Sequence, residues 1–136
     1  PVILAGSGPM EKSLMERAQR SSTSVKVIVK PNRQRLRQLM REAHCLVFPA
    51  YEDFGIVPVE AQACGTPVVG LAKGGSIETI VDGVSGSLVS SQTATALAEG
   101  VETLRPTCRE VIRDSALRFS GDNFDQRFLS WFSAVT

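Results

Sequence analysis

The 136-residue chain has little that could do redox or metal chemistry unaided, with three cysteines, one histidine, one tyrosine and one tryptophan. Cys45, Cys64 and Cys108 do not fall at metal-ligand spacing, and their odd number argues against a secreted disulfide framework. Reduced thiols in a cytoplasmic protein are the expectation. The only histidine, His44, stands beside Cys45 at the start of an apolar run, which gives it a structural role and leaves a Ser-His-Asp arrangement without a second choice. No apolar run approaches the roughly 20 residues that span a bilayer. The first residues do not form a charged-then-apolar signal segment, so any membrane association of the parent protein is peripheral. With a net charge of +1, the chain has no global field to gather nucleic acid or acidic lipid. A local run, Lys26, Lys30, Arg33, Arg35, Arg37 and Arg41, is basic and reads as a solvated helix face.

What is present is an ordinary globular composition, 43% hydrophobic and 21% charged, in a length sufficient for one domain with its own core. Apolar runs predict strands at Val2–Ala5, Val25–Val29, Leu46–Pro49, Val68–Leu71 and Gly86–Val89. Helical periods predict helices at Pro9–Ser21, Asn32–Ala43, Val57–Cys64 and Ser76–Val81, followed by Thr95–Leu104, Thr107–Phe119 and Phe124–Val135. Pro9 is expected to open the first helix, Asn32 to cap the second, Gly65-Thr66-Pro67 to end the third, and Asp82-Gly83 to turn the chain after the fourth. Pro106 and Gly121 mark later breaks. Continuous apolar strands alternating with helices imply an α/β fold, a Rossmann-like parallel sheet with helices on both faces. Ligands should bind beyond the carboxyl ends of its strands.

The densest signal lies between Tyr51 and Val69. Glu52 and Glu60 flank a loop containing Phe54-Gly55 and leading into Pro58, whose missing amide proton and preset φ suit the first turn of a helix. Free amides and the positive end of the helix dipole favour an anion there. Carboxylates on either side can accept hydrogen bonds from sugar hydroxyls. A nucleotide sugar offers both groups. Gly6-Ser7-Gly8-Pro9 follows a strand and opens a helix, a suitable context for a ligand-facing turn, but Glu11 occupies the third glycine position of a dinucleotide fingerprint. Gly74-Gly75 precedes a short helical pattern in which Ser76 is the candidate cap. Read as an acid/base pair, Glu52 and Glu60 would instead suggest a glycoside hydrolase, which the surrounding nucleotide cradle disfavours.

The ordered set Glu52-Asp53-Phe54-Gly55-Ile56-Val57-Pro58-Val59-Glu60, Ala63-Cys64-Gly65-Thr66-Pro67-Val68-Val69 and Gly74-Gly75-Ser76-Ile77-Glu78-Thr79 resembles the C-terminal, donor-binding half of a retaining GT-B glycosyltransferase. The likeness is to glycosyltransferase family 4, and within it to mannosyltransferases. It runs from Ala5-Gly6-Ser7-Gly8-Pro9 to the late Phe119-Ser120. It implies that Glu52 binds the transferred sugar and carries the catalytic role, while Glu60 holds the ribose. The amides of Phe54, Gly55, Ile56 and Val57 would meet the sugar and diphosphate, and Gly6, Gly8, Lys30, Gly74 and Gly75 would border the donor. Guanosine diphosphate mannose is the donor suggested. Neither cofactor nor metal is implied.

Relatives of this kind carry an arginine and a lysine for the diphosphate in a βα unit that would precede Pro1. Residues 1–136 are therefore expected to be a donor-binding fragment that lacks this unit and an N-terminal acceptor domain. Such a fragment should not turn over alone. A non-catalytic nucleotide-binding or regulatory module is the alternative, and a nucleotide-sugar epimerase is disfavoured by the absence of a histidine- or carboxylate-rich site. Phe124, Phe128, Trp131 and Phe132 recur at helical spacing near Phe119. They form an apolar stripe that needs covering and that should promote self-association of the fragment.

Overall fold

The computed structural model describes residues 1–105 and 107–135, so the break read at Pro106 lies outside the described residues. The chain divides into two compact units, Pro1–Leu39 and Met40–Thr136. In the first, β1 (Val2–Gly6) and β2 (Val25–Val29) pair in parallel, from Val2 opposite Val25 to Gly6 opposite Val29. The crossover between them is α1 (Glu11–Arg20), whose Leu14 and Ala18 are half-buried one turn apart. The predicted opening at Pro9 needs correction. Pro9 and Met10 form a turn and the helix starts at Glu11.

The second helix, α2 (Arg33–Glu42), begins as expected, because Asn32 Oδ1 accepts the Arg35 N–H at 2.8 Å. The basic side chains Arg33, Arg37 and Arg41 are exposed, in keeping with a solvated face.

In the second unit β3 (Leu46–Phe48), β4 (Val68–Leu71) and β5 (Gly86–Val89) form a parallel sheet in the order β3-β4-β5. Val68, Val69, Gly70 and Leu71 are all buried, as a central parallel strand requires. Two helices cover opposite faces of β4. On one side Gly100, in α5 (Ala94–Glu102), approaches Val69 and Val89 so closely that a Cβ there would lie 2.7 and 2.6 Å from their methyls. On the other side Ile80 and Ser76 lie over Gly70. The expected α/β fold with parallel sheets and helices on both faces is present. The five strands, however, hydrogen-bond as a pair and a triplet.

Helix ends shift where side chains compete with the helical pattern. α3 spans Ile56–Ala63 with Cys64 as its C-cap, and Gly65, just beyond it, turns the chain at a φ of +75° that needs glycine. α4 is Gly75–Thr79, shorter than the predicted Ser76–Val81. It stops because Ile80 turns extended and buries its side chain over Gly70 and Gly86. Ser76 is not its cap: Gly74 holds that position without a side-chain bond, and Ser76 is buried. The Asp82-Gly83 turn forms, with Asp82 Oδ1 accepting the Leu88 N–H at 2.9 Å and Gly83 at φ +73°. α5 starts after Thr93, whose hydroxyl accepts the Ala96 N–H. α6 is Arg109–Leu117, and α7 is Gly121–Val135, starting three residues earlier than predicted. The Ser120 hydroxyl accepts the Asn123 N–H at 3.3 Å, a cap that accounts for the earlier start.

Candidate functional site

The chain leaves β3 at Phe48 and reaches α3 at Ile56, and residues 49–55 form the intervening loop. The Gln92 amide holds its start by donating to the Pro49 carbonyl at 2.6 Å. At its end Gly55 is buried at φ 81°, ψ 61°, a left-handed conformation open to glycine at little cost. Gly55 is the N-cap of α3 and offers no side-chain acceptor. The Ile56 and Val57 N–H groups, at the start of the helix, have no acceptor among the described residues. Pro58 takes the third helical position, where its missing N–H leaves no donor unmet, and it is buried.

Glu52 lies in the loop and Glu60 in the second turn of α3, and both are exposed. Among the described residues neither carboxylate has a hydrogen-bonded or ionic partner. Two acceptor groups and a set of unengaged helix amides are thus offered at one end of the sheet. Such groups suit a ligand that combines anionic oxygens with hydroxyl donors.

The turn after β4 joins this loop. The Gly75 N–H donates to the Glu52 carbonyl at 2.7 Å. Glu52 and Gly74, which follow adjacent strands, therefore lie at the same end of the sheet. Gly74 has φ 61° and ψ −149°, a conformation almost confined to glycine. The Phe54 ring packs edge-on against Phe119 at 5.5 Å between centroids. Arg118 covers Phe119 at 4.7 Å and donates to the Glu78 carbonyl at 2.7 Å. Lys73 is exposed.

Gly6, Gly8 and Lys30 belong to the first unit. Gly6 ends β1 and accepts the Lys30 N–H at 2.9 Å. Lys30 follows β2 with φ 45°, a left-handed conformation among the non-glycine residues described. Gly8 is exposed, and its carbonyl accepts the Glu11 N–H at 3.1 Å. His44, expected to be structural, is exposed between α2 and β3.

Sequence reading passed over several groups that fix the site's framework. Gln62 is fully buried and donates through Nε2 to the Thr79 carbonyl at 2.9 Å, joining α3 to the end of α4. The Thr79 hydroxyl donates to the Gly75 carbonyl at 2.9 Å. Arg109 donates to the Arg41 carbonyl at 2.8 Å and the Cys64 carbonyl at 3.0 Å, satisfying the ends of two helices. Thr66, fully buried, donates to the Met40 carbonyl. A polar residue at an inward helical position, as Gln62 is, was the one available signal.

Residues 1–105 match the family model described as glycosyl transferases group 1. The chain belongs to that family. Over 74 residues it is 45% identical to D-inositol 3-phosphate glycosyltransferase of Mycobacterium tuberculosis, a match covering 54% of this chain and 15% of that protein. Its fold is similar to that of Anabaena Alr3699/HepE in complex with UDP and glucose, with a TM-score of 0.77 and 28% identity, covering 96% of this chain and 39% of HepE. It is also similar to sucrose-phosphate synthase from Thermosynechococcus elongatus, with a TM-score of 0.74 and 26% identity, covering 97% of this chain and 38% of that one. The chain thus spans about two-fifths of the length of these solved relatives. Among the described residues no helix is long and apolar enough to cross a membrane.

Proposed function

We propose that the chain is the donor-binding portion of a retaining, metal-independent hexosyltransferase of the GT-B, family 4 type, acting with an N-terminal acceptor domain of a longer protein. The observation that carries this reading is the pairing of exposed Glu52 and Glu60 with the unengaged amides at the start of α3, in a glycosyl transferases group 1 chain. Glu52 accepts hydrogen bonds from the hydroxyls of the transferred sugar, and Glu60 accepts them from the ribose. The diphosphate lies against the Ile56 and Val57 amides, where the helix dipole stabilises the charge that grows on the leaving group. The bond between the sugar and its diphosphate oxygen breaks as the bond to the acceptor oxygen forms on the same face, and the acceptor's proton passes to the departing diphosphate, so configuration is retained. Mannose on guanosine diphosphate is the donor that the loop's resemblance to mannosyltransferases favours, and glucose on UDP is the rival suggested by HepE.

The test uses the longest natural chain that carries these residues. Calorimetric titration with guanosine diphosphate mannose and with UDP-glucose, followed by a search for transfer to hydroxyl acceptors in the presence of a chelator, should give saturable binding of one donor and metal-free turnover. Binding without transfer to any acceptor would favour a nucleotide-sensing module. Absence of binding would end the donor-site reading.

A further inference from the structure

The Gly74-Gly75 turn is packed against the loop more tightly than any side chain would allow. A Cβ on Gly75 would lie 2.2 Å from the Phe54 carbonyl carbon and oxygen. One on Gly74 would lie 2.5 Å from the Glu52 carbonyl oxygen. Gly75 lies outside the left-handed region, so its own backbone does not call for glycine. Close approach does. The Gly75 N–H is not open to a ligand, because it is already engaged by the Glu52 carbonyl.

Behind this contact stands a buried polar chain. Thr79 reaches back to the Gly75 carbonyl, and Gln62 holds the Thr79 carbonyl from within α3. The other end of the Gln62 amide, Oε1, is buried and has no partner among the described residues. Leaving a buried acceptor unpaired is unfavourable. The Nε2 bond fixes α4 to the same helix that bears Glu60.

We propose that the Gly74-Gly75 turn, braced by Thr79 and Gln62, is a positioning device that sets Glu52 against the transferred sugar. It acts through the loop backbone, without itself touching the donor. This rests on the reading that Glu52 holds the sugar. Glu60 and the α3 amides reach the nucleotide from the helix, so the two functions should separate.

In the longest natural chain, Gly75→Ala must push residues 52–54 outward. Transfer kcat should fall by about 100-fold, the scale of a 1 Å misplacement, while Kd for the bare nucleoside diphosphate stays within about threefold of wild type. Gly83→Ala is the control. Gly83, unlike Gly75, has a positive φ, +73°, and it faces open space, so this variant introduces a Cβ without a steric clash and should keep wild-type kcat. Should Gly75→Ala fail to fold, Gln62→Leu removes the bond to Thr79 at similar bulk and should show the same kcat-selective loss, on the order of tenfold. Unchanged kcat in a folded Gly75→Ala, or in Gln62→Leu where Gly75→Ala does not fold, overturns the proposal. So does a parallel loss of nucleotide affinity. If wild type itself transfers no sugar, the reading of Glu52 falls and takes this proposal with it; if only the variants fail to differ, the reading of Glu52 stands.

Discussion

Replacing Glu60 by Gln isolates one charge from the rest of the site. The side chain is exposed on the second turn of α3, and its carboxylate has no partner among the described residues. The substitution therefore breaks no internal bond, and surface changes of this kind alter stability by within about 0.5 kcal/mol. Gln has nearly the same shape and keeps one acceptor oxygen, but it loses the negative charge and gains an NH2 group that repels a hydroxyl hydrogen. If the carboxylate accepts ribose hydroxyls, the loss is that of hydrogen bonds to a charged group, about 1–3 kcal/mol. That corresponds to roughly 5- to 160-fold in Kd. Calorimetry of the longest natural chain with the preferred donor gives the affinity, and a thermal melt of the same sample gives the stability. Equal affinities, with unchanged melting, would refute the assignment of Glu60. A large fall in melting temperature would refute the premise that the carboxylate is unengaged.

Glu52→Ala should depress transfer far more than binding of the bare nucleoside diphosphate, because a contact to the reacting sugar is felt mainly in the transition state; parallel losses in kcat and in nucleotide affinity would move Glu52 to the nucleotide site. The α7 stripe should drive self-association of residues 1–136, since Phe124 and Trp131 are 66% and 59% exposed and Phe128 stacks on Phe124 and meets Trp131 at a tilt on one face. Sedimentation over a concentration series should show dimers that Phe128→Asp abolishes, and a strictly monomeric wild type with buried Trp131 fluorescence would contradict this. Burial raises the pKa of the Cys45 thiol. Its alkylation by iodoacetamide, followed by peptide mass spectrometry, should therefore rise at higher pH in the folded chain than in the urea-unfolded one. The matching contribution to stability is full below the unfolded pKa and is lost as pH climbs through the folded value. Coincident alkylation profiles would exclude it.

Strand positions were legible because parallel strands buried on both faces are continuous apolar runs, and Val68–Leu71 is such a run along its whole length. The Asn32 cap and the Gly65 and Gly83 turns could be read for the same local reason: each depends on a residue type that satisfies or relieves its own backbone. The end of α4 could not. Ile80 fits a helical pattern, and it leaves the helix because Gly70 and Gly86, on neighbouring strands, open a space that its side chain fills. Ser76 looked like a cap for the same reason that it is buried instead, since nothing adjacent in sequence announces the strand it faces.

The sequence by itself determined the α/β class, the glycosyl transferases group 1 character, and the loop in which Glu52 and Glu60 stand, because these depend on local pattern and on residue types within a few positions of each other. Only the tertiary structure decided what the glycines after β4 do. Gly74 and Gly75 are more than 20 residues from Glu52 in sequence, and only the parallel pairing of β3 with β4 brings their backbones into contact. The clearance that excludes a Cβ at Gly75 is set by Phe54, and the brace behind it by Gln62 and Thr79. Close packing between segments distant in the chain is a property of the folded geometry, and no periodicity in the sequence encodes it.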